Sequence, residues 1–459
     1  MNTRELILDM LLEMEKQRTY SNILIRKVLD KYDYLPAKEK AFIKRVTEGT
    51  LERRLQIDWL LDGFSSIPVR RMKPLIRSLL RMSVYQLLFM DGIPDSAVCN
   101  EAVKLAAKRR FQSLKGYVNG VLRSIARSRE EIARGRFYPN REEAPVQYLS
   151  VLYSMPENLV EMWLGRYGME RTEGMLEAML QTHPVTIRFQ ESLDSMGRER
   201  LIKAIEAQGI GFRAHPYLSY AGSLTRLEGI RKVPGFEEGA FAVQDVSSMF
   251  CVECAGIREG DLILDVCAAP GGKSTHAAEK LRGTGRVIAR DISFEKTELI
   301  EENAERLGYK NIEVQVFDAA VPDEEMAERA DVVLADLPCS GLGILGKKRD
   351  IKYQVTEEML RELPKVQKRI LDTVWKYVKP GGTLVYSTCT IRAEENEEIL
   401  RWFLENHPFE AVPIDTAMPR VPEKQTAKHG YIQFLPGVHE TDGFFLAKLR
   451  RRQEPEKRG

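Results

Sequence analysis

Apolar residues recur three and four positions apart along roughly the first 130 residues of the chain. Stretches such as RELILDMLLEME, SNILIRKVLDKY and MKPLIRSLLRMSVYQLLFM show this spacing, and short breaks containing Gly or Pro separate them. The pattern predicts an all-α domain of roughly six or seven helices over residues 1–135. Facing apolar stripes of these helices would form its core.

The pattern changes twice in the next hundred residues. Residues 131 to 145, EIARGRFYPNREEAP, lose helical periodicity and are interpreted as a linker. Two helical segments follow, and then strand-like stretches such as VTIRFQ and IGFRAHP flank another helix, SMGRERLIKAIEAQG. This mixture predicts a small α+β domain over residues 145–232.

Apolar strands alternate with helices in the rest of the chain. The candidate strands are LILDVCA, RVIARDI, EVQVFD, DVVLADL, TLVYST and GFFLAKL. Continuous apolar strands between helices are typical of a parallel sheet that is covered on both faces. We therefore predict an α/β doubly wound, Rossmann-like domain over residues 233–452, with its ligand at the carboxyl ends of the strands.

Composition narrows the class of protein. The chain has 459 residues, of which 43% are hydrophobic, enough to form a sizeable core in several domains. It has no long uncharged apolar run and no signal-peptide pattern, so we expect a soluble, cytoplasmic protein without membrane association. Its six cysteines do not make a disulfide framework, and no histidine lies near the Cys251-x-x-Cys254 pair, so we expect no metal.

The net charge of the chain is +2, but basic and acidic residues are unevenly distributed along it. Residues 1 to 140 contain 27 Lys and Arg against 16 Asp and Glu, which leaves 42 against 51 in the remainder. A basic N-terminal third suggests an anionic partner such as RNA or DNA, although an ordinary solvated helical surface explains the excess equally well. Lys73, Arg77 and Arg81 lie four residues apart, so they would share one helix face. This face is a candidate phosphate contact or, alternatively, a solvated surface.

The first strand of the Rossmann-like domain leads into a candidate nucleotide-binding loop, DVCAAPGGKSTHAA. Asp265 closes the strand, Gly271 and Gly272 allow a sharp turn, and the following helix offers unpaired amides at its start. The spacing is neither that of a P-loop nor G-x-G-x-x-G, which argues against a triphosphate and against NAD. Asp291, at the end of the second strand, suits the ribose hydroxyls of an adenosine, and a helix cap is the alternative.

Further chemistry falls at the ends of the later strands. The third strand ends at Asp318, the fourth in ADLPCSG with Asp336 and Cys339, and the fifth in VYSTCT with Cys389. Because the carboxyl ends of parallel strands meet at one edge, the loop, the acids and the two cysteines converge there. Their convergence predicts an active site.

These motifs resemble a known family. CAAPGGKST, DLPCSGLG, YSTCT followed by EENEE, and DGFFLAKL are similar to the S-adenosylmethionine-dependent RNA cytosine-C5 methyltransferases of the NOP2/Sun group. The N-terminal helices, including SAVCNEAVKLAAKR and GYVNGVLRSIAR, resemble the NusB-type RNA-binding domain that marks the RsmB (Sun) branch. The middle domain looks like the small RNA-recognition-like (RRM-like) module of these enzymes.

The resemblance implies a reaction and roles for individual residues. The implied substrate is 16S ribosomal RNA, at cytosine 967, either free or in an early small-subunit intermediate. Cys389 is implied as the nucleophile that adds to C6, Cys339 as the residue that supports release or the base, and Asp336 as a contact to the cytosine edge. The implied cofactor contacts are Cys267, Ala268, Ala269, Pro270, Gly271, Gly272, Lys273, Asp291, Asp318 and Asp336.

Two clusters of charges near these motifs have open interpretations. Lys347, Lys348 and Arg349 follow the Pro-Cys motif and are candidate contacts to substrate phosphates, with a surface loop as the alternative. The acids Glu394, Glu395 and Glu397 of the EENEE segment are interpreted as first-turn residues of a helix and not as catalysts.

Two other functions compete with the methyltransferase. One is a non-catalytic rRNA-binding assembly factor with a relic methyltransferase domain, which the retention of both cysteines, the glycine loop and Asp291 disfavours. The other is a DNA cytosine methyltransferase, in which the nucleophile belongs to the Pro-Cys motif and the Thr-Cys motif is missing. The presence of YSTC argues against it.

Overall fold

The computed structural model describes residues 2–17, 21–181 and 183–453. The chain divides into two compact units. Unit 1 comprises Met1–Gln181 together with Leu345–Gln354, and unit 2 comprises Thr182–Ile344 together with Val355–Gly459.

The described part of unit 1 is helical, as the spacing of apolar residues predicts. The central helix of this unit packs against five others and buries residues such as Leu79 and Leu80 completely. Its α-helices are α1 (Thr3–Gln17), α2 (Ser21–Lys31), α3 (Ala37–Glu52), α4 (Arg54–Phe64), the central α5 (Pro74–Phe89), α6 (Asp95–Lys108), α7 (Lys115–Arg127), α8 (Arg129–Ala133), α9 (Pro145–Leu152), α10 (Glu157–Leu180) and, from the later segment, α15 (Ile351–Gln354).

The two units divide the chain differently from the three predicted domains. Helices α9 and α10, predicted to belong with the middle sheet, are grouped with the N-terminal helices, and α9 packs on α4. The sheet that follows them belongs to unit 2. The boundaries predicted at 135, 145 and 232 stay a prediction about independently folding domains.

The segment Leu345–Gln354 is held in unit 1 by buried polar contacts. The Arg349 guanidinium pairs with Glu48 at 3.4 Å and with Glu52 at 3.1 Å. Lys352 is buried and its Nζ donates to the main-chain oxygen of Glu52 at 2.8 Å. The Arg54 guanidinium stacks 3.5 Å from the centre of the Tyr353 ring.

The buried Lys352 ammonium should make the stability of unit 1 depend on pH. Burial lowers the pKa of Lys352 to about 7, whereas an unfolded lysine titrates near its ordinary value of 10.5. Between these two values the unfolded chain binds more protons, so the free energy of unfolding rises with pH across this window. We expect a gain on the order of 2 kcal/mol from pH 7 to pH 9, which Lys352→Met should remove.

Denaturant unfolding followed by circular dichroism at the two pH values measures this gain. Lys348→Met is the matched control, because it removes the same charge from an exposed position in the same segment. An equal pH response in both variants would contradict the prediction.

Unit 2 begins with a small antiparallel sheet and its helix. The strands β1 (Val185–Phe189), β2 (Gly211–Ala214), β3 (Ala221–Thr225) and β4 (Phe241–Val243) are ordered β2-β3-β1-β4, and the helix is α11 (Ser195–Ala207). Alternate apolar residues of these elements, such as Ile187, Leu224 and Ile205, form one buried cluster. This is the predicted small α+β sheet.

The second sheet of unit 2 is doubly wound, as predicted. Its strands are β5 (Leu262–Asp265), β6 (Arg286–Asp291), β7 (Ile312–Val316), β8 (Ala330–Asp336), β9 (Val378–Thr388), β10 (Phe409–Ala411), β11 (Tyr431–Phe434) and β12 (Phe444–Arg451), ordered β10-β12-β9-β8-β5-β6-β7, with β11 paired to β12. Its helices are α12 (Val246–Ala255), α13 (Gly272–Lys280), α14 (Phe294–Leu307), α16 (Glu357–Val374) and α17 (Glu397–Asn406).

The direction of the strands positions the site. Strands β5 to β9 of this sheet run parallel, and β12 runs antiparallel to β9. The carboxyl ends of β5, β6, β8 and β9 therefore lie along one edge, where the sequence places its acids and cysteines. Among the described residues, no helix has both the length and the apolar character needed to cross a membrane.

Candidate active site

The loop after β5 turns sharply into α13. Gly271 has a φ of +97°, and a Cβ there would lie 3.3 Å from the Cα of Ile300, so glycine suits the position on two grounds. Asp265 is buried, and its Oδ2 accepts a hydrogen bond from Ser274 at 2.7 Å. Burial raises the pKa of Asp265 to about 7. The loop is thus anchored from beneath, with the start of α13 directly after its turn.

Asp291 ties the second strand end to this loop. Its Oδ2 accepts from the Ala269 amide at 3.0 Å, and its Oδ1 accepts from Ile292 N at 2.8 Å and Lys296 Nζ at 3.0 Å. The carboxylate is therefore held beside the glycine loop. A carboxylate oxygen can accept more than one hydrogen bond, so this arrangement leaves capacity for a ribose hydroxyl.

Two large apolar residues that closely follow Asp291 in the chain are exposed. Ile292 is 60% exposed and Phe294 is 64% exposed, which is unusual for large apolar side chains next to a strand end. Asp318 lies exposed after β7, and its Oδ1 accepts from Ala320 N at 2.9 Å. Acids for hydroxyl and amino groups beside an apolar surface for a flat base fit the adenosine of S-adenosylmethionine. The sequence interpretation did not consider Ile292 and Phe294, although apolar residues directly after a strand-end acid can be read from the sequence.

Lys273 and Asp336 form an ion pair between the glycine loop and the end of β8. Lys273 Nζ lies 2.5 Å from Asp336 Oδ2, and Ser387 Oγ donates to Asp336 Oδ1 at 2.9 Å. Burial lowers the pKa of Lys273, but the Asp336 carboxylate more than offsets this, so the pKa is raised and the amine stays charged. The ion pair therefore joins the glycine loop to the end of β8.

The two strand-end cysteines meet at this edge. β8 and β9 are parallel neighbours with Asp336 opposite Ser387, so the residues that follow both strands lie together. Cys339 Sγ lies 2.9 Å from Cys389 Sγ, and both thiols are free. The hydrogen bond to Cys389 raises the pKa of Cys339 well above its usual value, and burial adds to the effect. Cys339 therefore holds its proton more tightly than an ordinary thiol does.

Glu395 differs from its sequence interpretation. It lies in a short turn before α17 instead of in the first helical turn, and it is buried. Its Oε2 accepts from the amide of Ser340, the residue after Cys339, at 2.8 Å. The first-turn interpretation is therefore confirmed for Glu397, which lies with Glu398 in the first turn of α17, whereas Glu394 and Glu395 both lie in the short turn that precedes this helix.

The other cysteines of unit 2 are packing residues. Burial raises the pKa of the Cys251 thiol to about 12 and also raises the pKa values of Cys254 and Cys267. Cys267, which the resemblance implies as a cofactor contact, packs partly buried against the core of the sheet. No cluster of three or more metal-ligating side chains occurs in the described residues.

The predicted RNA contacts all lie in unit 1. The guanidinium of Arg77 pairs with Glu15, and that of Arg81 makes two hydrogen bonds of 2.7 Å to Asp58. Lys73, Lys347 and Lys348 are exposed, while Arg349 makes the ion pairs described above. The proposed phosphate contacts stay predictions, and the exposed lysines are better placed for them than the paired arginines.

The fold and the site define a class of protein before any relative is considered. A doubly wound sheet that presents a glycine loop, a ribose-suited acid and two free cysteines at one edge is the framework of a nucleotide-cofactor-dependent transferase with thiol chemistry.

Comparison with known proteins identifies the family. Residues 254–450 match the family model described as 16S rRNA methyltransferase RsmB/F, and residues 1–127 match the NusB family. The chain is 35% identical to the probable ribosomal RNA small subunit methyltransferase B of Bacillus subtilis, covering 98% of this chain and 99% of that protein. It is 33% identical to the ribosomal RNA small subunit methyltransferase B of Escherichia coli, covering 95% of each.

The crystal structure of PH0851 superimposes with a TM-score of 0.79 and 25% identity over 98% of this chain and 99% of that one. The chain belongs to the RsmB/F family of 16S rRNA methyltransferases. The predicted resemblance to the RsmB branch and the predicted NusB-like N-terminal fold are thereby confirmed.

Proposed function

We propose that this protein transfers a methyl group from S-adenosylmethionine to C5 of a cytosine in 16S ribosomal RNA through a covalent bond between Cys389 and C6. The resemblance to the RsmB branch points to cytosine 967. The observation that carries the proposal is the 2.9 Å separation of two free thiols at the sheet edge that also holds the glycine loop.

The chemistry of cytosine explains the need for a thiol. C5 of the ring is a poor nucleophile, and addition of the Cys389 thiolate to C6 converts it into an enamine carbon. The bound S-adenosylmethionine supplies an electrophilic methyl group on its sulfonium. Removal of the C5 proton by a base then re-forms the C5–C6 double bond, and the electron pair of the C6–S bond returns to Cys389 as thiolate.

The pairing of the thiols suits Cys339 to the role of that base. In the free enzyme Cys339 holds its proton because its hydrogen bond to Cys389 raises its pKa. Once Cys389 is bonded to C6, its sulfur is an uncharged thioether, and it no longer raises the pKa of Cys339 to the same extent. Cys339 then ionises more readily, at the stage where the C5 proton must leave.

We further propose that Asp336 holds the cytosine edge. Its carboxylate is oriented by Lys273 at 2.5 Å and by Ser387 at 2.9 Å. A carboxylate held in this way can accept a hydrogen bond from the N4 amino group of cytosine. Ser387, which orients Asp336, precedes Cys389 by two residues. The end of β9 therefore provides both the nucleophile and a residue that orients the contact to the cytosine.

The target base must leave its stack to reach such a pocket. A free rRNA or an early small-subunit intermediate, with unpaired loops still accessible, is therefore the proposed substrate, and the cytoplasm is the proposed compartment.

Incubation of the protein with unmodified 16S rRNA and labelled S-adenosylmethionine tests the proposal. We expect a single 5-methylcytosine, mapped by bisulfite sequencing to position 967. Binding of rRNA without cofactor binding or methyl transfer would favour the assembly-factor function instead. Methylation at another atom or another cytosine would overturn the proposed chemistry or the proposed target, respectively.

A further inference from the structure

Two adjacent polar residues downstream of Cys389 are fully buried. Glu395 and Asn396 lie in the turn that precedes α17, and each has 0% of its surface exposed. Burying a carboxylate and an amide is costly unless their polar atoms find partners. Their hydrogen bonds lead directly to the two loops that carry the cysteines.

Glu395 holds the loop of Cys339. Its Oε2 accepts from the amide of Ser340, the residue directly after Cys339, at 2.8 Å. Its Oε1 accepts from the Arg392 guanidinium at 3.1 Å, and that guanidinium also lies 3.4 Å from Glu394. A charged acceptor on a main-chain amide makes a stronger hydrogen bond than a neutral one, and it fixes the direction of the loop.

Asn396 holds both sides of Cys389. Its Oδ1 accepts from Thr388 Oγ1 at 2.5 Å, and its Nδ2 donates to the Thr390 carbonyl at 3.0 Å. Its Nδ2 also donates to Gln433 Oε1 of β11 at 2.7 Å. Thr388 and Thr390 flank the nucleophile, so one amide side chain contacts the residues before and after it.

The two loops are also bonded to each other. Ser340 Oγ and Thr390 Oγ1 lie 2.7 Å apart, one residue beyond each cysteine. Gly343 N donates to the main-chain oxygen of Cys389 at 3.0 Å, and a Cβ on Gly343 would lie 1.8 Å from the Gly443 oxygen. The loops thus share two direct hydrogen bonds in addition to the contact of the thiols.

We propose that Glu395 and Asn396 are positioning residues that hold the Cys339 and Cys389 loops in register, so that Cys339 reaches C5 of the cytosine in the covalent adduct. The inference rests on the proposed function, because it assigns these residues to the release step of that reaction. Neither residue touches the reacting atoms in this arrangement; each acts through the loop it holds.

The charge of Glu395 gives the proposal a specific signature. The groups that face the Cys339 thiol are Cys389, Glu395, Asp336 and the buried Tyr386, with Lys273 paired to Asp336 behind them. The negative charge of Glu395 is among the causes that raise the pKa of Cys339. Removing this charge should lower that pKa, whereas a purely structural contact would leave it unchanged.

A comparison of Glu395→Gln with Glu395→Ala separates the effect of the hydrogen bond to Ser340 from the effect of the negative charge. Glutamine keeps an oxygen that can accept from Ser340 N, and alanine does not. We expect Glu395→Ala to slow decay of the covalent protein–RNA adduct by about 10- to 100-fold, because the loop of Cys339 is no longer held. We expect Glu395→Gln to recover most of that rate, with its pH dependence displaced to lower pH.

Glu394→Gln is the matched control. It removes the same charge one residue away and also takes one partner from Arg392, but it does not touch Ser340. Adduct formation and decay are followed in single turnovers by quenching into denaturant at pH values from 6 to 9, the range in which thiols titrate. The control should leave both the rate and the pH profile of decay as in wild type.

Asn396→Ala tests whether Asn396 positions the loop of Cys389. It should slow formation of the adduct as well as its decay, since the residues on both sides of Cys389 lose a partner. Circular dichroism verifies that each variant is folded. If an alanine variant does not fold, the pH profile of Glu395→Gln tests the proposal instead. An unshifted pH profile in Glu395→Gln, or decay in Glu395→Ala as fast as in Glu394→Gln, would overturn the positioning role. Failure of wild type to form any adduct would instead overturn the proposed function.

Discussion

Cys389→Ala should abolish methyl transfer to ribosomal RNA. Without the thiolate no group adds to C6, so C5 does not become nucleophilic enough to accept the methyl group. Removal of a covalent nucleophile typically costs more than about 10⁴-fold in rate, and we expect a loss of at least this order. Methyl incorporation from labelled S-adenosylmethionine into 16S rRNA measures it.

Binding measurements show whether the loss is chemical. Cys389→Ala should bind the cofactor and rRNA as wild type does, because Cys389 is not among the groups that hold either of them. Cys99→Ala is the matched control, since it removes one buried thiol from α6 of unit 1 and should methylate normally. Normal methylation by Cys389→Ala would show that the assignment of the nucleophile is wrong.

Cys339→Ala should accumulate a covalent protein–RNA adduct that survives denaturant. The nucleophile is intact in this variant, so addition to C6 and methyl transfer proceed, but the base beside the adduct is lost. Turnover should fall by about 10²- to 10⁴-fold, the usual contribution of a general acid or base. A shifted band on a denaturing gel, dependent on both RNA and S-adenosylmethionine, measures the adduct.

The double variant Cys339→Ala/Cys389→Ala is the control for this experiment, and it should form no adduct. An adduct in Cys389→Ala together with none in Cys339→Ala would reverse the two roles. Rapid turnover of Cys339→Ala without any adduct would mean that another group releases the product.

The alternation of strands and helices was enough to predict the doubly wound sheet. Strand ends could be located to within a residue or two because apolar runs stop where polar chemistry begins, at Asp265, Asp291 and Asp336. Parallel strands bring their carboxyl ends to one edge, so the meeting of Cys339 and Cys389 followed from the pattern. Their 2.9 Å separation and the raised pKa of Cys339 did not.

Charged residues are where the sequence was least informative. Arg349, a candidate phosphate contact, pairs with Glu48 and Glu52, and Lys352 is buried against the main chain at Glu52, roughly three hundred residues earlier. Glu395 likewise looks like a helix-start acid and is instead buried on the amide of Ser340. Hydrophobic periodicity does not predict the burial of such residues, because the partners that bury them are distant in the chain.

The sequence by itself therefore determined the helical and doubly wound parts of the fold, because local periodicity specifies them. It also determined that the glycine loop and the two cysteines meet at one edge of the sheet, because parallel strands have their carboxyl ends there. Only the tertiary structure decided that Leu345–Gln354 belongs to unit 1, that Lys273 serves Asp336, and that Glu395 and Asn396 hold the cysteine loops. Apart from the contacts of Asn396 with Thr388 and Thr390, these join residues far apart in the chain, and the free energy of burying a charge depends on which partner the fold brings to it.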